Sequence, residues 1–101
     1  MRHEKPSWSF RLEDGRKACV LFTTKDYGDL STDQDPQVLA SRQRSIVDEK
    51  WAYLTQVHGT EVIHVESPGE CQGRSGDAIL TNNSEVPISI QVADCAPVAL
   101  V

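Results

Sequence analysis

From Trp51 onward the chain is broken into short apolar segments: Trp51 to Val57, Glu61 to Val65, Asp77 to Thr81, Pro87 to Val92, and Val98 to Val101. The joints between them are polar or glycine-rich, Ser67 to Gly76 carrying Pro68, Gly69, Gly73 and Gly76, and Asn82-Asn83-Ser84 reading as a turn. Short runs bounded by turn residues predict strands rather than helices. Upstream, Trp8, Phe10 and Leu12 alternate with Ser7, Ser9 and Arg11, and an apolar run resumes at Ala18 after Glu13-Asp14-Gly15-Arg16. Asp-Gly between two such runs is a hairpin signal, so residues 7–24 read as two paired strands. Only one helix is expected, over about 36–48. Asp35-Pro36 supplies a cap and a first-turn proline, and Val38, Leu39, Ile46 and Val47 form one apolar stripe. Thr24 to Asp35, rich in Asp, Ser, Thr and Gly, reads as a surface loop.

With 101 residues, 39% of them apolar, the chain fits one small domain. No apolar stretch approaches the roughly 20 residues of a membrane span, and the charged opening carries no signal-peptide core. The net charge is −5, and it is unevenly spread: residues 1–50 hold nine basic and nine acidic side chains, residues 51–101 one and six. A second half with Arg74 as its only strong cation cannot neutralise a run of phosphates, so no nucleic-acid partner is expected, and the lack of a spanning stretch argues against a membrane partner. Three cysteines, Cys19, Cys71 and Cys95, favour free thiols in a reducing cytoplasm. Val98-Ala99-Leu100-Val101 has the look of a buried strand at which the chain stops, and many strands face one helix. Both features suggest an N-terminal portion of a larger domain, or a homo-oligomer formed through exposed strands.

Two segments place reactive groups at predicted strand ends, Gln56-Val57-His58-Gly59 and Ala93-Asp94-Cys95-Ala96-Pro97. An imidazole and a thiolate together suit zinc, and they suit a Cys-His nucleophilic pair equally well. Each also has a plainer role, Cys95 as a small buried hydrophobe and His58 as a turn residue. Their separation of 37 residues (95 − 58) matches no zinc-finger spacing. His64 is expected to point from a strand into solvent, His3 lies in a tail, and Cys71 sits in a glycine-rich loop.

Taken together and in order, these segments resemble the YfiH family, also called the multicopper polyphenol oxidase or laccase-domain family. The resemblance runs through Phe22-Thr23-Thr24-Lys25, the helix with Arg42 and Arg44, Leu54-Thr55-Gln56-Val57-His58-Gly59, Asp77-Ala78-Ile79-Leu80-Thr81, and Val92-Ala93-Asp94-Cys95-Ala96-Pro97. It implies an α/β (α+β) fold with mixed sheets packed face to face and helices outside, of which residues 1–101 would be the N-terminal portion. It also implies a zinc site, with copper as the alternative, whose first two ligands are His58 and Cys95. The third, a histidine of a later His-Ala-Gly-Trp-Arg-Gly-like segment, has no counterpart in these residues. The implied activity is chemistry on purine nucleosides with phosphate: phosphorolysis of adenosine, inosine or methylthioadenosine, and adenosine deamination. Copper-dependent phenol oxidation and peptidoglycan editing are further activities linked to the family.

Asp94, next to Cys95, is the local acid placed for proton transfer or for orienting its neighbour, and equally a strand-end hydrogen-bond acceptor; Gln56 contacts substrate or pairs with backbone, and Lys25 and Arg42 are the expected substrate-binding residues. Lys25-Asp26-Tyr27-Gly28 departs from the family's arginine and glycine pair, and lysine lacks the bidentate fork that arginine offers an anion. Two ligands leave a zinc site incomplete, so little turnover is expected of this chain alone. A Cys-His hydrolase acting on an amide or ester, and a non-catalytic self-associating fragment, are the alternatives.

Overall fold

The computed structural model describes residues 7–92 and 97–101, and of Lys25 only the backbone. Strands β1 (Ser7–Arg11) and β2 (Lys17–Leu21) pair antiparallel, from Ser7 opposite Leu21 to Arg11 opposite Lys17. Their turn is closed by Leu12 and Arg16 and passes through Gly15 at φ 87°, a left-handed conformation that glycine adopts freely. The Arg16 guanidinium binds Asp14 at 2.6 Å and donates to the Asn82 carbonyl at 2.7 Å, tying the hairpin turn to the 82–84 turn. The expected hairpin is therefore present. A 3-10 turn follows at Lys25–Tyr27.

Helix α1 (Pro36–Arg44) starts where the sequence indicates: the Asp35 carboxylate accepts from the Gln37 amide at 2.8 Å, and proline occupies the first turn. It ends four residues earlier than expected. The Ser45 hydroxyl turns back onto the Arg42 carbonyl at 2.6 Å, and Ile46 and Val47 both donate to the Gln43 carbonyl, closing the helix. The buried face is also rotated from the expected stripe. Leu39, Gln43 and Ile46 face inward, whereas Val38 and Val47 are exposed. A polar Gln43 in the middle of the inward row hid that row from a reading based on apolar periodicity.

Three strands form one parallel sheet in the order β5-β3-β7: β3 (Ala52–Thr55) at the centre, β5 (Arg74–Ser75) and β7 (Ile88–Ser89) on either side. A second parallel pair joins β4 (Val62–His64) to β6 (Ala78–Leu80), Ile63 opposite Ile79. The sheets are thus mixed, parallel around β3 and antiparallel in the hairpin, with one helix, which is the strand-rich α/β architecture expected. The strands are shorter than the apolar segments that signal them, and β5 falls inside the stretch read as a loop.

The alternation of side chains along Trp51–Leu54 builds two layers of core. Ala52 and Leu54 point to one face and pack with Ile63, Val65 and Val86, with Cys71 and Ile79 at the edge. Trp51 and Tyr53 point to the other and pack with Leu39, bordered by Leu30 and Ile46. A strand covered on both faces reads as a continuous apolar run, as here. Gly76 is buried where β5 leaves the sheet, and a Cβ there would stand 2.9 Å from Ile63 Cγ1 and 3.2 Å from Leu54 Cδ1. The close approach of this segment to β3 and β4 depends on that missing side chain.

One expectation is corrected at the far end. Val98, Leu100 and Val101 are exposed at 72%, 91% and 65%, and form no strand with the described residues. Apolar character alone suggested burial, but Ala99 and Val101 instead border an open apolar groove with Trp8, Phe10, Val20 and Phe22. No helix among the described residues is long and apolar enough to cross a membrane.

The Thr24–Asp35 loop is ordered by its own polar groups. The Asp29 carboxylate accepts from the Ser31 amide at 2.8 Å, and the Ser31 amide and hydroxyl, with the Arg42 charge, hold its pKa below the ordinary aspartate value despite some loss of hydration. A depressed carboxyl contributes its anchoring above the ordinary aspartate range and loses it as pH falls through its own lower value. A side-chain carboxyl NMR titration is therefore expected to place the Asp29 midpoint below that of a free aspartate, and closer to it in Arg42→Ala. A midpoint at or above the free value would contradict this account.

Candidate functional site

Strand β3 leaves the sheet at Thr55 and runs directly into Gln56-Val57-His58-Gly59. His58 has φ 57°, a left-handed conformation that costs most side chains on the order of 1–2 kcal/mol, although histidine is among the residues found there more often. The turn is held by one side chain from a distant element. Asp77 precedes β6, and its amide donates to the Glu61 carbonyl at 3.0 Å, which places it at the entry to β4, just past the 56–59 turn. Its Oδ1 accepts from the amides of Val57 and His58, both at 2.9 Å, and its Oδ2 from the amide of Gly59 at 2.7 Å. Three successive N–H groups converge on one anion, the arrangement of a backbone nest. Partial dehydration raises the Asp77 pKa, but the amides of Gly59, Val57 and His58 and the charge of His58 outweigh it, so the carboxyl lies below the ordinary aspartate range. The His58 ring is exposed and makes no hydrogen bond among the described residues.

The second tether joins the two motif-bearing segments. Gln56 Nε2 donates to the Gln91 carbonyl at 2.7 Å, and Gln56 Oε1 accepts from the Gln91 amide at 2.6 Å. A primary amide presents the same donor and acceptor as a peptide unit, so this side chain continues the parallel β3-β7 pairing past the ends of both strands. Because the strands are parallel, both chains leave at the same rim of the sheet. The segment leading to Asp94 and Cys95 thus departs from beside Gln56, two residues before His58. Asp94 and Cys95 themselves lie outside the described residues.

The loop beyond this rim is tied in as well. The Gln91 side chain donates to the Leu30 carbonyl, and Arg42 Nη1 donates to the Asp29 carbonyl at 2.8 Å and to Gln34 Oε1 at 2.9 Å. Arg42 thereby links α1 to the 28–34 loop, its side chain lying along Gly28, where a Cβ would come within 3.5 Å of it. Lys25 begins the 3-10 turn of the same loop. Of the expected site residues, His58 and Gln56 stand together at the β3 exit, and Gln56 also engages Gln91, whose side chain reaches the loop braced by Arg42. Among the described residues no three or more His, Cys, Asp or Glu side chains converge as a metal site. His64 is exposed on β4, and Cys71 is half-buried against the core with φ 60°.

Asp77 is the residue that sequence reasoning did not find, since it read as the first position of a strand. Its partners are backbone amides 18 to 20 positions away, which no side-chain pattern reveals.

A parallel sheet presenting a histidine turn at the rim where the chain also leaves β7 is the class of α/β protein defined here. The chain belongs to the family described as multi-copper polyphenol oxidoreductase laccase, whose model matches residues 11–101. Among curated relatives, it is 40% identical over 52 residues to a purine nucleoside phosphorylase of Deinococcus radiodurans, covering 52% of this chain and 19% of that protein. It is 32% identical over 74 residues to a purine nucleoside phosphorylase of Corynebacterium glutamicum, covering 65% of this chain and 30% of that protein. The matched segments therefore span less than a third of either relative. No solved structure matches the chain.

Proposed function

We propose that residues 1–101 form the N-terminal portion of a single domain that processes purine nucleosides, and that they supply two donors, His58 and Cys95, to its zinc site. The observation that carries this reading is the Gln56–Gln91 pairing, which brings the lead-in to Cys95 alongside the exit of β3 toward His58. The family and the names of both relatives support the substrate class. An exposed imidazole on a braced turn and a thiolate fit a borderline-soft ion such as zinc, and copper is the alternative. The third donor comes from a segment outside these residues, consistent with the greater length of the relatives.

When bound, zinc supplies Lewis acidity that activates water near neutral pH, which suits deamination of adenosine. Asp94, adjacent to Cys95, accepts the proton that the attacking water releases and passes it toward the departing amine. In phosphorolysis the base leaves the ribose C1′ as phosphate adds there, and the chain's task is to hold both partners in line. Lys25 offers phosphate a point charge from the 25–27 turn, and Arg42 braces the loop that carries it. Gln56 has both amide atoms engaged with Gln91, so it acts by setting the spacing of the two motifs.

The test is base release from inosine with inorganic phosphate, assayed on the complete reading frame that carries these residues, with zinc supplied. Phosphate-dependent release of hypoxanthine is expected. His58→Ala and Cys95→Ala should each lower it by more than the roughly 10–100-fold that loss of a ligand's outer partner costs. No release from the folded, zinc-loaded protein, or release unaffected by both substitutions, would overturn the proposal.

A further inference from the structure

We propose that Asp77 is the positioning residue for the His58 imidazole: its carboxylate gathers the amides of Val57, His58 and Gly59 and so sets the direction in which the ring leaves the β3 exit. The inference rests on the reading of His58 as a metal donor. The three bonds, at 2.9, 2.9 and 2.7 Å, hold the backbone on both sides of the ring-bearing residue. A left-handed histidine flanked by exposed residues has no neighbouring core to impose its conformation, so the restraint comes from this anion. Bonds from amides to a carboxylate are shorter and stronger than those between neutral groups, which suits a clamp at an exposed rim. Gly59 is part of the same device. A Cβ at that position would stand 3.1 Å from Asp77 Oδ2 and press the carboxylate away from the amides.

The alternatives for Asp77 separate by substitution. Asparagine keeps an oxygen for the Val57 and His58 amides but turns an NH2 toward the Gly59 amide. Alanine removes all three acceptor contacts. Both substitutions leave the His58 side chain itself unchanged.

Affinity for Zn²⁺ alone is measured on the full chain by competition with a chromogenic chelator, alongside amide NMR spectra, for wild type, Asp77→Asn, Asp77→Ala, Gly59→Ala, His58→Ala and Asp77→Asn with His58→Ala. Asp77→Ala is expected to weaken zinc binding by roughly 10–100-fold, as loss of an outer-shell partner does, and Asp77→Asn by less. Gly59→Ala, which disturbs the clamp without removing the carboxylate, is expected to cause a few-fold loss and to keep the assay decisive should Asp77→Ala fail to fold. Amide shifts should move at residues 57–59 while those of the β1-β2 hairpin stay in place. In the His58→Ala background, Asp77→Asn should have no further effect, because it acts through the ring. A merely structural role would lower stability without that dependence on His58. If His58→Ala leaves zinc binding unchanged, the donor reading fails and this inference with it. If His58→Ala weakens binding while every Asp77 and Gly59 variant binds as wild type, the donor reading stands and Asp77 has no positioning role.

Discussion

Leu39→Ala is expected to lower the unfolding free energy by about 2–5 kcal/mol, the range for truncating a buried leucine. Leu39 is 1% exposed and is the apolar side chain through which α1 rests on Trp51 and Tyr53. The other buried residue of the helix, Gln43, is polar, and Val38 on its flank is exposed, so neighbours offer little apolar surface to refill the void. Native domains are stabilised by roughly 5–15 kcal/mol in all, so one such cavity removes a large share. Urea denaturation followed through tryptophan fluorescence reads the loss directly, since Trp51 lines the same cluster. Leu39→Met, which nearly conserves volume, should cost less than about 1.5 kcal/mol. Equal, small effects for both substitutions would show that the helix does not anchor this face of β3.

Gly76→Val is the second large effect, and it works by excess rather than by void. Even a bare Cβ at Gly76 would approach Ile63 Cγ1 to 2.9 Å and Leu54 Cδ1 to 3.2 Å, both inside the main core cluster. Two further methyl groups have no space unless β5 separates from β3 or β4 shifts. Overpacking of this kind costs about 1–3 kcal/mol or more, and Gly76→Ala should fall at the lower end. A double variant with Ile63→Ala should recover part of the loss, because it removes the atom in closest conflict. Chemical denaturation of the four proteins measures the coupling, and strictly additive losses would contradict the contact.

The parts of the fold that were legible in the sequence are those written in local chemistry. Asp14-Gly15 between alternating runs marks the hairpin, Asp35-Pro36 marks the helix start, and the run from Trp51 to Leu54 marks the strand covered on both faces. What escaped was set by distant backbone. Strand β5 consists of Arg74 and Ser75, which carry no apolar signal and are strand only because Leu54 and Thr55 present free peptide groups beside them. The helix end depended on the Ser45 hydroxyl rather than on a glycine, and the buried row passed through Gln43. Val98–Val101 forms no strand with the described residues and lies exposed, since an apolar run is buried only where a surface covers it.

The candidate site divides in the same way. His58 and Gln56 stood out as chemistry-bearing residues at a strand end, whereas the clamp that shapes their turn, Asp77, acts only through backbone amides. Gln56 illustrates how a side chain with obvious reactive potential can be engaged structurally. Its amide imitates a peptide unit, and only the parallel pairing of β3 with β7 reveals what it imitates.

The central claim is that His58 and Cys95 bind one ion at the sheet rim, and X-ray absorption at the zinc edge tests it most directly. The chain loaded with one equivalent of Zn²⁺ is expected to show one sulfur near 2.3 Å and an imidazole nitrogen at about 2.0–2.1 Å. The sulfur shell should vanish in Cys95→Ala and the imidazole signature in His58→Ala. A shell of light atoms alone, unchanged in both variants, would contradict the account.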